Sequence, residues 1–330
     1  MYCISSEAVD LMELFGENKI VISTKQILLE NYPRAHNPSI LKVDQGYLMT
    51  FRYVPDLENA WLNYIGIVLL NDTFEPVSEP QLLNTRSKYS KTPSQSEDAR
   101  IFTYKDRIFL IYNDNLDTVR PTTWERRDMY LSELCWEHPH QFALSSPLKL
   151  VYEEKYNTQF WQKNWIPFEW NDQLLFTYTL NPHEILYPNL KNGTCYHCYE
   201  SYALLDWTFG TLRGSTPPQL IDGEYLAFFH SGTVIASHTS WGWDMWHYFM
   251  GAYTFSPEPP FQITKITSDP IVGEGFYTPS NAEKRVIFPG GFVVNGSFIH
   301  VAYGKDDREI WIATLDKAAL YKALIPVTSN

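Results

Sequence analysis

The sequence repeats one pattern five times: an apolar strand, a turn rich in Asp, Asn or Gly, and a second apolar strand. Asp-Gly and Asn-Gly turns between alternating apolar residues are strong signals of a β-hairpin. In every copy, 15 positions separate the first residue, which we call the anchor, from the last. The copies run over Asn37 to Arg52, Asp98 to Asn113, Asn164 to Thr179, Ser215 to His230 and Phe288 to Tyr303.

The spacing of the copies fits one kind of repeat. Successive anchors are 61, 66, 51 and 73 residues apart, and a repeat of that length holds a hairpin and two further strands, the content of one propeller blade. Arranging blades in a ring also protects the strand edges that an open sheet would expose. The sequence therefore predicts an all-β fold, a five-bladed β-propeller formed by residues 1–330 as a single domain.

Helical signals are confined to the two ends of the chain. Residues 5–15 show helical apolar spacing with Ser5 at the start, and residues 316–324 form a second candidate. We expect both to be short helices at the periphery of the propeller.

Charge and hydropathy exclude several classes of function. The chain has 26 Lys and Arg against 38 Asp and Glu, a net charge of −12, and such a field repels nucleic-acid backbones and anionic lipid. The N-terminus shows no secretory signal, and residues 225–243, which lack charged side chains, are interrupted by polar ones, unlike a membrane span. We expect a cytoplasmic protein with neither nucleic-acid nor membrane partners.

The cysteines do not indicate a disulfide scaffold or a metal site. Cys3, Cys135, Cys195 and Cys198 are sparse for a chain of 330 residues, which fits a reducing compartment. Cys195, His197 and Cys198 have the spacing of metal ligands, but structural zinc needs four ligands and the sequence offers no second pair. We expect no metal, and we interpret this segment as a partly exposed loop.

The open ends of five equivalent hairpins are expected to meet on one rim around the axis. Clefts with a few converging polar groups are the usual place for a ligand, whereas solvated strand ends are the alternative explanation for polar residues there. Acids and bases interleave on the predicted rim, which favours a ligand site. Its residues are Asn37, Arg52, Glu97, Asp98, Arg100, Asn113, Asp114, Lys163, Asn164, Thr179, Arg213, Ser215, Thr216, His230, Tyr303, Lys305, Asp306 and Asp307.

In order and with matched spacing, these segments resemble glycoside hydrolase family 130, the inverting β-mannoside phosphorylases and related enzymes, which are five-bladed propellers. The resemblance covers all five hairpins. It rests on Asn37-Pro38 with Phe51-Arg52, Glu97 to Arg100, Lys163 to Trp165 with Pro167-Phe168, Gly214 to Pro218 with His230, and Tyr303 to Asp306.

The resemblance implies a mannose-containing oligosaccharide as substrate, Asp98 as the general acid and Asp306 as a ligand of the glycone hydroxyls. It also implies an anion site at Lys163, Arg213 and His230, where the phosphorylases hold phosphate. Inorganic phosphate or a sugar phosphate would be the co-substrate, with no other cofactor. We assign further sugar contacts to Asn37, Arg52, Asn113, Asp114, Asn164 and Tyr303.

The chemistry of the reaction gives a second reason, separate from the resemblance, to expect basic residues in the site. Inverting cleavage of a glycosidic bond needs a proton donor and a nucleophile on the opposite face of the sugar. A hydrolase needs a second carboxylate to activate water, whereas phosphate is already a nucleophile and has only to be held. Guanidinium matches two phosphate oxygens and Lys supplies a point charge. Lys163 and Arg213 therefore favour an anionic co-substrate.

Departures from the family pattern leave the reaction direction open. Ala99 stands where the family usually has Pro, and Arg126 and Arg127 are the nearest candidates for an arginine that phosphorylases use on phosphate. Mannosyl transfer from mannose 1-phosphate or a sugar nucleotide remains an alternative. So do a β-mannosidase and a non-catalytic glycan- or protein-binding propeller. The linkage, the acceptor and the oligomeric state, including a homo-oligomer, also stay open.

Two expectations concern the surroundings of the site. Because side chains alternate along a strand, Glu97 should point away from Asp98, so that Asp114 or Asp306 would be the group that raises the pKa of Asp98. Six tryptophans are candidates for stacking on sugar, although burial in a blade is favoured for each. They are Trp61, Trp161, Trp165, Trp241, Trp243 and Trp246.

Overall fold

The computed structural model describes residues 8–16, 19–86, 94–115, 126–137 and 140–329. The helices are α1 (Leu11–Phe15), α2 (Glu153–Tyr156) and α3 (Lys317–Ala323), with a 3₁₀ turn at His238–Ser240. The strands are β1 (Val21–Ile27), β2 (Ala35–Val43), β3 (Gly46–Tyr53), β4 (Tyr64–Leu70), β5 (Gln81–Leu82), β6 (Glu97–Tyr104), β7 (Arg107–Asp114), β8 (Asp128–Glu137), β9 (Gln141–Leu144), β10 (Leu148–Tyr152), β11 (Ile166–Trp170), β12 (Gln173–Leu180), β13 (His183–Pro188), β14 (Thr194–Ser201), β15 (Ala203–Leu204), β16 (Arg213–Gly214), β17 (Gln219–Ile221), β18 (Glu224–Ala236), β19 (Asp244–Phe255), β20 (Ile263–Thr267), β21 (Lys284–Asn295), β22 (Phe298–Lys305), β23 (Glu309–Asp316), β24 (Leu324–Pro326) and β25 (Thr328–Ser329).

The strands form five successive blades, within which neighbouring strands pair antiparallel. Blade 1 is β2 to β5, blade 2 is β6 to β10, and blade 3 is β11 to β14. Blade 4 is β16 to β20, with β24 on its outer edge. Blade 5 consists of β21 to β23 and of β1, which pairs with β23 although it precedes blade 1 in the sequence. An early strand thus completes the last blade. Short parallel pairs of β10 with β14 and of β19 with β21 join blade 2 to blade 3 and blade 4 to blade 5.

Five apolar clusters lie between the blades, one at each contact of neighbours. Leu48 of blade 1 and Leu110 of blade 2 belong to one cluster, and Met49 of blade 1 and Val293 of blade 5 belong to another. The other three clusters join blades 2 and 3, blades 3 and 4, and blades 4 and 5. Because the series returns to blade 1, the sheets form a closed ring, and the predicted five-bladed propeller is confirmed.

The hairpins turn at the residues that the sequence predicts. Three of the five predicted hairpins turn through two consecutive residues with positive φ: Lys105 and Asp106 (49° and 58°), Asn171 and Asp172 (46° and 59°), and Asp222 and Gly223 (52° and 89°). Such turns match the right-handed twist of the strands that they join. Asp, Asn and Gly occur there because they tolerate this conformation.

The anchors of the first three blades share an irregular backbone. Asn37, Asp98 and Asn164 have φ values of 47°, 55° and 64°. In blades 1 and 2 the pairing register shifts there, between His36 and Ser39 and between Glu97 and Arg100. A bulge of this kind bends the strand and re-aims its side chains.

The helices lie at the ends of the chain, as predicted, with α2 as a further short turn of helix. Helix α1 begins at Leu11 rather than near Ser5, because Asp10 caps it by accepting from the Met12 and Glu13 amides at 2.9 and 3.2 Å; residues 5–7 lie outside the described residues. Helix α3 falls within the predicted segment and is capped by Asp316, which accepts from the Ala319 amide at 2.7 Å. Among the described residues, no helix has the length and apolarity needed to cross a bilayer.

The segment with Cys195, His197 and Cys198 is strand β14 rather than the predicted loop. Cys195 is buried between blades 2 and 3, and burial raises the pKa of its thiol to about 12. His197 is exposed, and in the described part of the chain no group of three His, Cys, Asp or Glu side chains could hold a metal ion.

Candidate functional site

Arg100 joins the anchors of four blades at the centre of the ring. Its guanidinium donates to the main-chain oxygens of Asp98 and Ser215, the latter at 2.9 Å, and to Asn164 Oδ1 at 3.2 Å. The guanidinium carbon lies 5.1 Å from the centre of the Phe288 ring. Arg100 is only 1% exposed, and burial lowers its pKa to about 10. One buried cation therefore ties blades 2 to 5 together.

Asp98 presents its carboxylate to the first blade. Asn37 Nδ2 donates to Asp98 Oδ1 at 2.9 Å, and Arg52 donates to the same oxygen at 3.4 Å. Burial alone would raise the pKa of Asp98, but Arg52, Arg100 and Lys163 together hold it well below its ordinary value. The expectation that Asp114 or Asp306 raises this pKa is therefore wrong, and Asp98 is ionised in the free protein.

Glu97 points into the same cluster as Asp98, which corrects the expected alternation. Its carboxylate lies 3.2 Å from Arg52 and 2.8 Å from Lys163 Nζ. The reason is the register shift at this point and the left-handed backbone of Asp98, which together break the two-residue period of the strand. Two adjacent carboxylates consequently face one group of cations.

Arg127 is the third cation that contacts Glu97, after Arg52 and Lys163. It lies 3.2 Å from Glu97 and donates to Asn113 Oδ1 at 2.7 Å. Asn113 in turn donates to the Glu97 main-chain oxygen at 3.3 Å. Asn113 thus holds Arg127 and Glu97 in place, and its predicted contact with sugar stays a prediction.

The centre of the site carries an excess of positive charge. Two carboxylates, Glu97 and Asp98, are surrounded by four cations, Arg52, Arg100, Arg127 and Lys163. The surplus is two positive charges in a protein whose net charge is −12. Arg52 donates from Nε to Asn63 and from its two terminal nitrogens to the carboxylates of Asp98 and Glu97. A buried surplus of this sign favours binding of an anion.

Asp114 lies in a separate buried network beside the cluster. It pairs with Arg86 at 3.1 Å and accepts from Ser96 Oγ. Its side chain has no exposed surface, and burial raises its pKa. The predicted contact of Asp114 with sugar is therefore not supported, because protein groups surround the carboxylate.

Asp306 and Asp307 are adjacent in sequence but have different surroundings. Asp306 accepts from the Val286 amide at 2.9 Å, which commits one of its oxygens to the main chain. Asp307 pairs with Lys284, and Lys284, His36 and Arg52 hold the pKa of Asp307 below its ordinary value against the effect of burial. Asp307 is thus the carboxylate whose field reaches Arg52, and the contact of Asp306 with the glycone hydroxyls stays a prediction.

Tyr303 is fully buried in the core of blade 5. Its ring centre is 4.7 Å from that of Phe276, within the apolar cluster that joins blades 4 and 5. The predicted contact of Tyr303 with sugar is therefore not supported, because the side chain packs inside the blade rather than on the rim.

The three residues predicted to hold phosphate have different surroundings. Lys163 is bound to Glu97 and is partly exposed. Arg213 is exposed, with no ion pair among the described residues, and its backbone pairs with His230. His230 is buried, its Nδ1 lies 2.6 Å from Ser215 Oγ, and burial with Arg100 and Arg213 lowers its pKa to about 3. His230 is therefore neutral near pH 7 and can assist an anion by hydrogen bonding alone.

A cleft of about 1020 Å³ opens beside this centre between blades 1 and 5. Its walls include His36, Arg52, Lys284 and Asp307. Contrary to the expected burial of tryptophans, Trp165 alone of the six candidates is buried, whereas Trp161, Trp241, Trp243 and Trp246 are 49–57% exposed. Trp161 lies beside the site, with its ring 5.3 Å from Lys163 Nζ.

Two buried histidines should make the fold sensitive to acid. Burial lowers the pKa of His183 to about 4, and that of His230 is about 3. Below pH 6.5 the unfolded chain protonates both while the folded protein does not, so the free energy of unfolding should fall as the pH decreases. We expect a loss of about 1.4 kcal/mol per pH unit for each histidine.

Urea unfolding between pH 7 and pH 5 measures this slope. His183→Gln should make it shallower, because one of the buried histidines no longer titrates, and His197→Gln at an exposed position should leave it unchanged. Equal slopes for His183→Gln and the natural chain would contradict the prediction.

Several solved structures share this fold. A β-1,2-mannobiose phosphorylase from Listeria innocua, in complex with β-1,2-mannobiose, is 14% identical, with a TM-score of 0.59 over 93% of this chain and 97% of its own. MPT-4, a mannose phosphorylase from Leishmania mexicana in complex with a phosphate ion, is 12% identical, with a TM-score of 0.57 over 96% of this chain and 95% of its own.

A further neighbour comes from GH130, a family of mannoside phosphorylases that contains hydrolases of β-1,2-mannosidic linkages in Candida mannan; it is 11% identical, with a TM-score of 0.58 over 88% of this chain and 90% of its own. No family model and no curated protein matches the sequence. At these identities the likeness establishes the fold, and at that level the resemblance to glycoside hydrolase family 130 is confirmed.

Proposed function

We propose that this protein cleaves or forms β-mannosides by an inverting mechanism in which phosphate, or the phosphate of mannose 1-phosphate, is the anionic reactant. The observation that carries the proposal is the surplus of positive charge around Glu97 and Asp98. The shared fold supports the substrate class, because its neighbours include a mannobiose phosphorylase and a mannose phosphorylase with bound phosphate.

The residues can be assigned to the two halves of the reaction. In phosphorolysis the bond between the anomeric carbon and the leaving oxygen breaks, Asp98 supplies the proton to that oxygen directly or through a sugar hydroxyl, and a phosphate oxygen bonds to the carbon from the opposite face. The products are mannose 1-phosphate and the shortened saccharide. Lys163 and Arg213 are the proposed phosphate ligands.

The ionised state of Asp98 in the free protein fits this scheme. Arg52, Arg100 and Lys163 keep its pKa low, and a bound phosphate would offset their field and raise the pKa of the carboxyl. In the synthetic direction, the ionised carboxylate is already the base that accepts the proton of the acceptor hydroxyl. Phosphate binding and proton donation are thereby coupled.

Hydrolysis is less well supported by the carboxylates near the centre. Glu97 is engaged by Arg52, Arg127 and Lys163, which hold its pKa below the ordinary value against burial. Asp114 is enclosed by Arg86 and Ser96. Asp307, the third carboxylate that could serve as a base, is paired with Lys284. A general base for water must be free to accept a proton, and each of the three is held by protein groups.

Other features belong to the same proposal. We propose that the chain acts as one domain, since β1 and β24 attach the two ends of the described chain to blades 5 and 4. We further propose a cytoplasmic location, supported by free thiols at Cys135, Cys195 and Cys198. Phosphate or a sugar phosphate would be the co-substrate.

Replacing the proposed phosphate ligands tests the function. In Lys163→Ala or Arg213→Ala we expect the KM for phosphate to rise about tenfold or more, equivalent to at least about 1.4 kcal/mol, while the KM for a neutral β-mannosyl disaccharide changes less than about threefold. The assay measures release of mannose 1-phosphate. Lys42→Ala, at an exposed pair with Asp72, is the matched control.

The products distinguish the alternatives. Release of free mannose at the same rate with and without phosphate would establish a hydrolase and refute the phosphate role. An equal rise in KM for phosphate and for the disaccharide would refute the assignment of the two residues.

A further inference from the structure

The hairpin of blade 4 extends beyond the rim of the site. Arg213 pairs with His230 at the rim, but β18 continues to Ala236 and β19 begins at Asp244. The two strands stay in register over this distance, with Gly232 opposite Tyr248 and Val234 opposite Trp246. We call residues 231–249 the blade 4 extension.

Aromatic rings follow one face of this extension outward from the site. Trp246 and Tyr248 are two residues apart on β19 and so lie on the same face. The ring centres of His230 and Tyr248 are 6.3 Å apart, with the planes inclined by 26°, and those of Tyr248 and Trp246 are 6.2 Å apart. We call these three residues the aromatic row.

The outer part of the aromatic row is open to solvent. Trp246 is 49% exposed, and Val234 opposite it is 47% exposed. Opposite Tyr248 stands Gly232, where an added Cβ would touch the Tyr248 ring at 3.4 Å. The absence of a side chain at Gly232 therefore keeps that part of the row accessible.

Polar groups accompany the rings. Lys284 Nζ is 5.8 Å from the centre of the Tyr248 ring and pairs with Asp307, and both charged residues line the cleft beside Arg52. Rings that alternate with charged groups suit a saccharide, since a sugar has an apolar face of C–H groups and an equator of hydroxyls. The spacing of the rings is of the order of one sugar unit.

We propose that the aromatic row binds the part of an oligosaccharide chain that lies beyond the reacting bond, so that the substrates are β-mannosides longer than a disaccharide. The proposal rests on the proposed function. Continuity of the row with His230, which pairs with Arg213 at the rim of the site, argues for a saccharide rather than a second copy of this chain.

The test compares chain lengths in Trp246→Ala. For a β-mannosyl pentasaccharide we expect kcat/KM to fall about tenfold, or about 1.4 kcal/mol, and for the disaccharide to change less than about twofold. Tyr196→Ala, which removes a 51% exposed ring from the outer strand of blade 3, is the control. An equal effect on both substrates, or none on the pentasaccharide, would overturn the proposal.

Calorimetric titration with the pentasaccharide separates this proposal from the proposed function. Binding by the natural chain that Trp246→Ala weakens about tenfold supports the aromatic row, even if no β-mannoside is turned over. Turnover of the disaccharide without tighter binding of the pentasaccharide overturns the row and leaves the function intact. Analytical ultracentrifugation tests self-association. If Trp246→Ala changed the molar mass in solution but not the binding of the pentasaccharide, the row would be assigned to self-association and the proposal overturned.

Discussion

Asp98→Asn should reduce turnover of an unactivated β-mannoside with phosphate by about 10² to 10⁴, the usual contribution of general acid catalysis. Asparagine keeps the shape and can still bond with Asn37, but it has no acidic proton to give. The measurement is kcat at saturating phosphate. Asp44→Asn in the exposed first turn is the control for an Asp to Asn change on the same fold.

A substrate with a good leaving group sharpens this test. A nitrophenolate departs without protonation, so p-nitrophenyl β-mannoside should retain much more of its rate in Asp98→Asn than the disaccharide does. An Asp98→Asn protein that is folded and keeps more than about a tenth of the natural turnover on the unactivated mannoside would exclude Asp98 as the acid.

Arg100→Met should lower the free energy of unfolding by about 3–5 kcal/mol, the range for removing one partner from a buried charged network. Methionine fills much of the same volume but donates no hydrogen bonds to the oxygens of Asp98, Ser215 and Asn164. Three acceptors, two of them buried main-chain oxygens, would then lose their donor, and the loss at a buried acceptor is costly. Urea unfolding measures the effect.

Arg107→Met provides the matched control. Arg107 lies in the hairpin that begins with β6 and pairs with Glu133, but its side chain is 59% exposed, and exposed pairs contribute about 0–1 kcal/mol. If Arg100→Met changed the free energy of unfolding as little as Arg107→Met, Arg100 would not be the element that ties the blades.

The hairpins could be predicted from the sequence because their signals are local. Turn residues such as Asn171 with Asp172, and Asp222 with Gly223, are determined by the local backbone conformation. The similar spacing of the copies follows from the size of a blade. The strand β1 in blade 5 could not be predicted in this way. Its pairing with β23 joins residues almost 300 positions apart in sequence, and no local pattern specifies such a partner.

The candidate site was predicted in outline but not in orientation. The predicted rim contained Glu97, Asp98, Arg52 and Lys163, which do lie together. The assumption of regular alternation, however, gave the wrong orientation for Glu97. A signal was present: Asn37, Asp98 and Asn164 stand at equivalent positions, and Asn and Asp are the residues that most readily adopt the left-handed conformation. Three such residues at one place in the repeat indicate a bulge.

Long-range partners account for the remaining differences. Asp306 and Asp307 are adjacent and chemically identical, so only the position of the Val286 amide and of Lys284 distinguishes their surroundings. Arg127 was one of two candidates, and its contact with Glu97 depends on where β8 begins relative to β6. Tyr303 looked like a rim residue because the end of a strand does not reveal which face is buried.

The pairing of β1 with β23 has a consequence for synthesis of the chain. The ribosome releases β1 first, yet its partner follows only after about 280 further residues, which at 5–20 residues per second means roughly 15–55 s. Throughout that interval β1 is an unpaired strand beside a growing row of blades, and pairing with a neighbouring chain is open to it. Completion of the circle is thus a late event in synthesis, which must wait until blade 5 emerges.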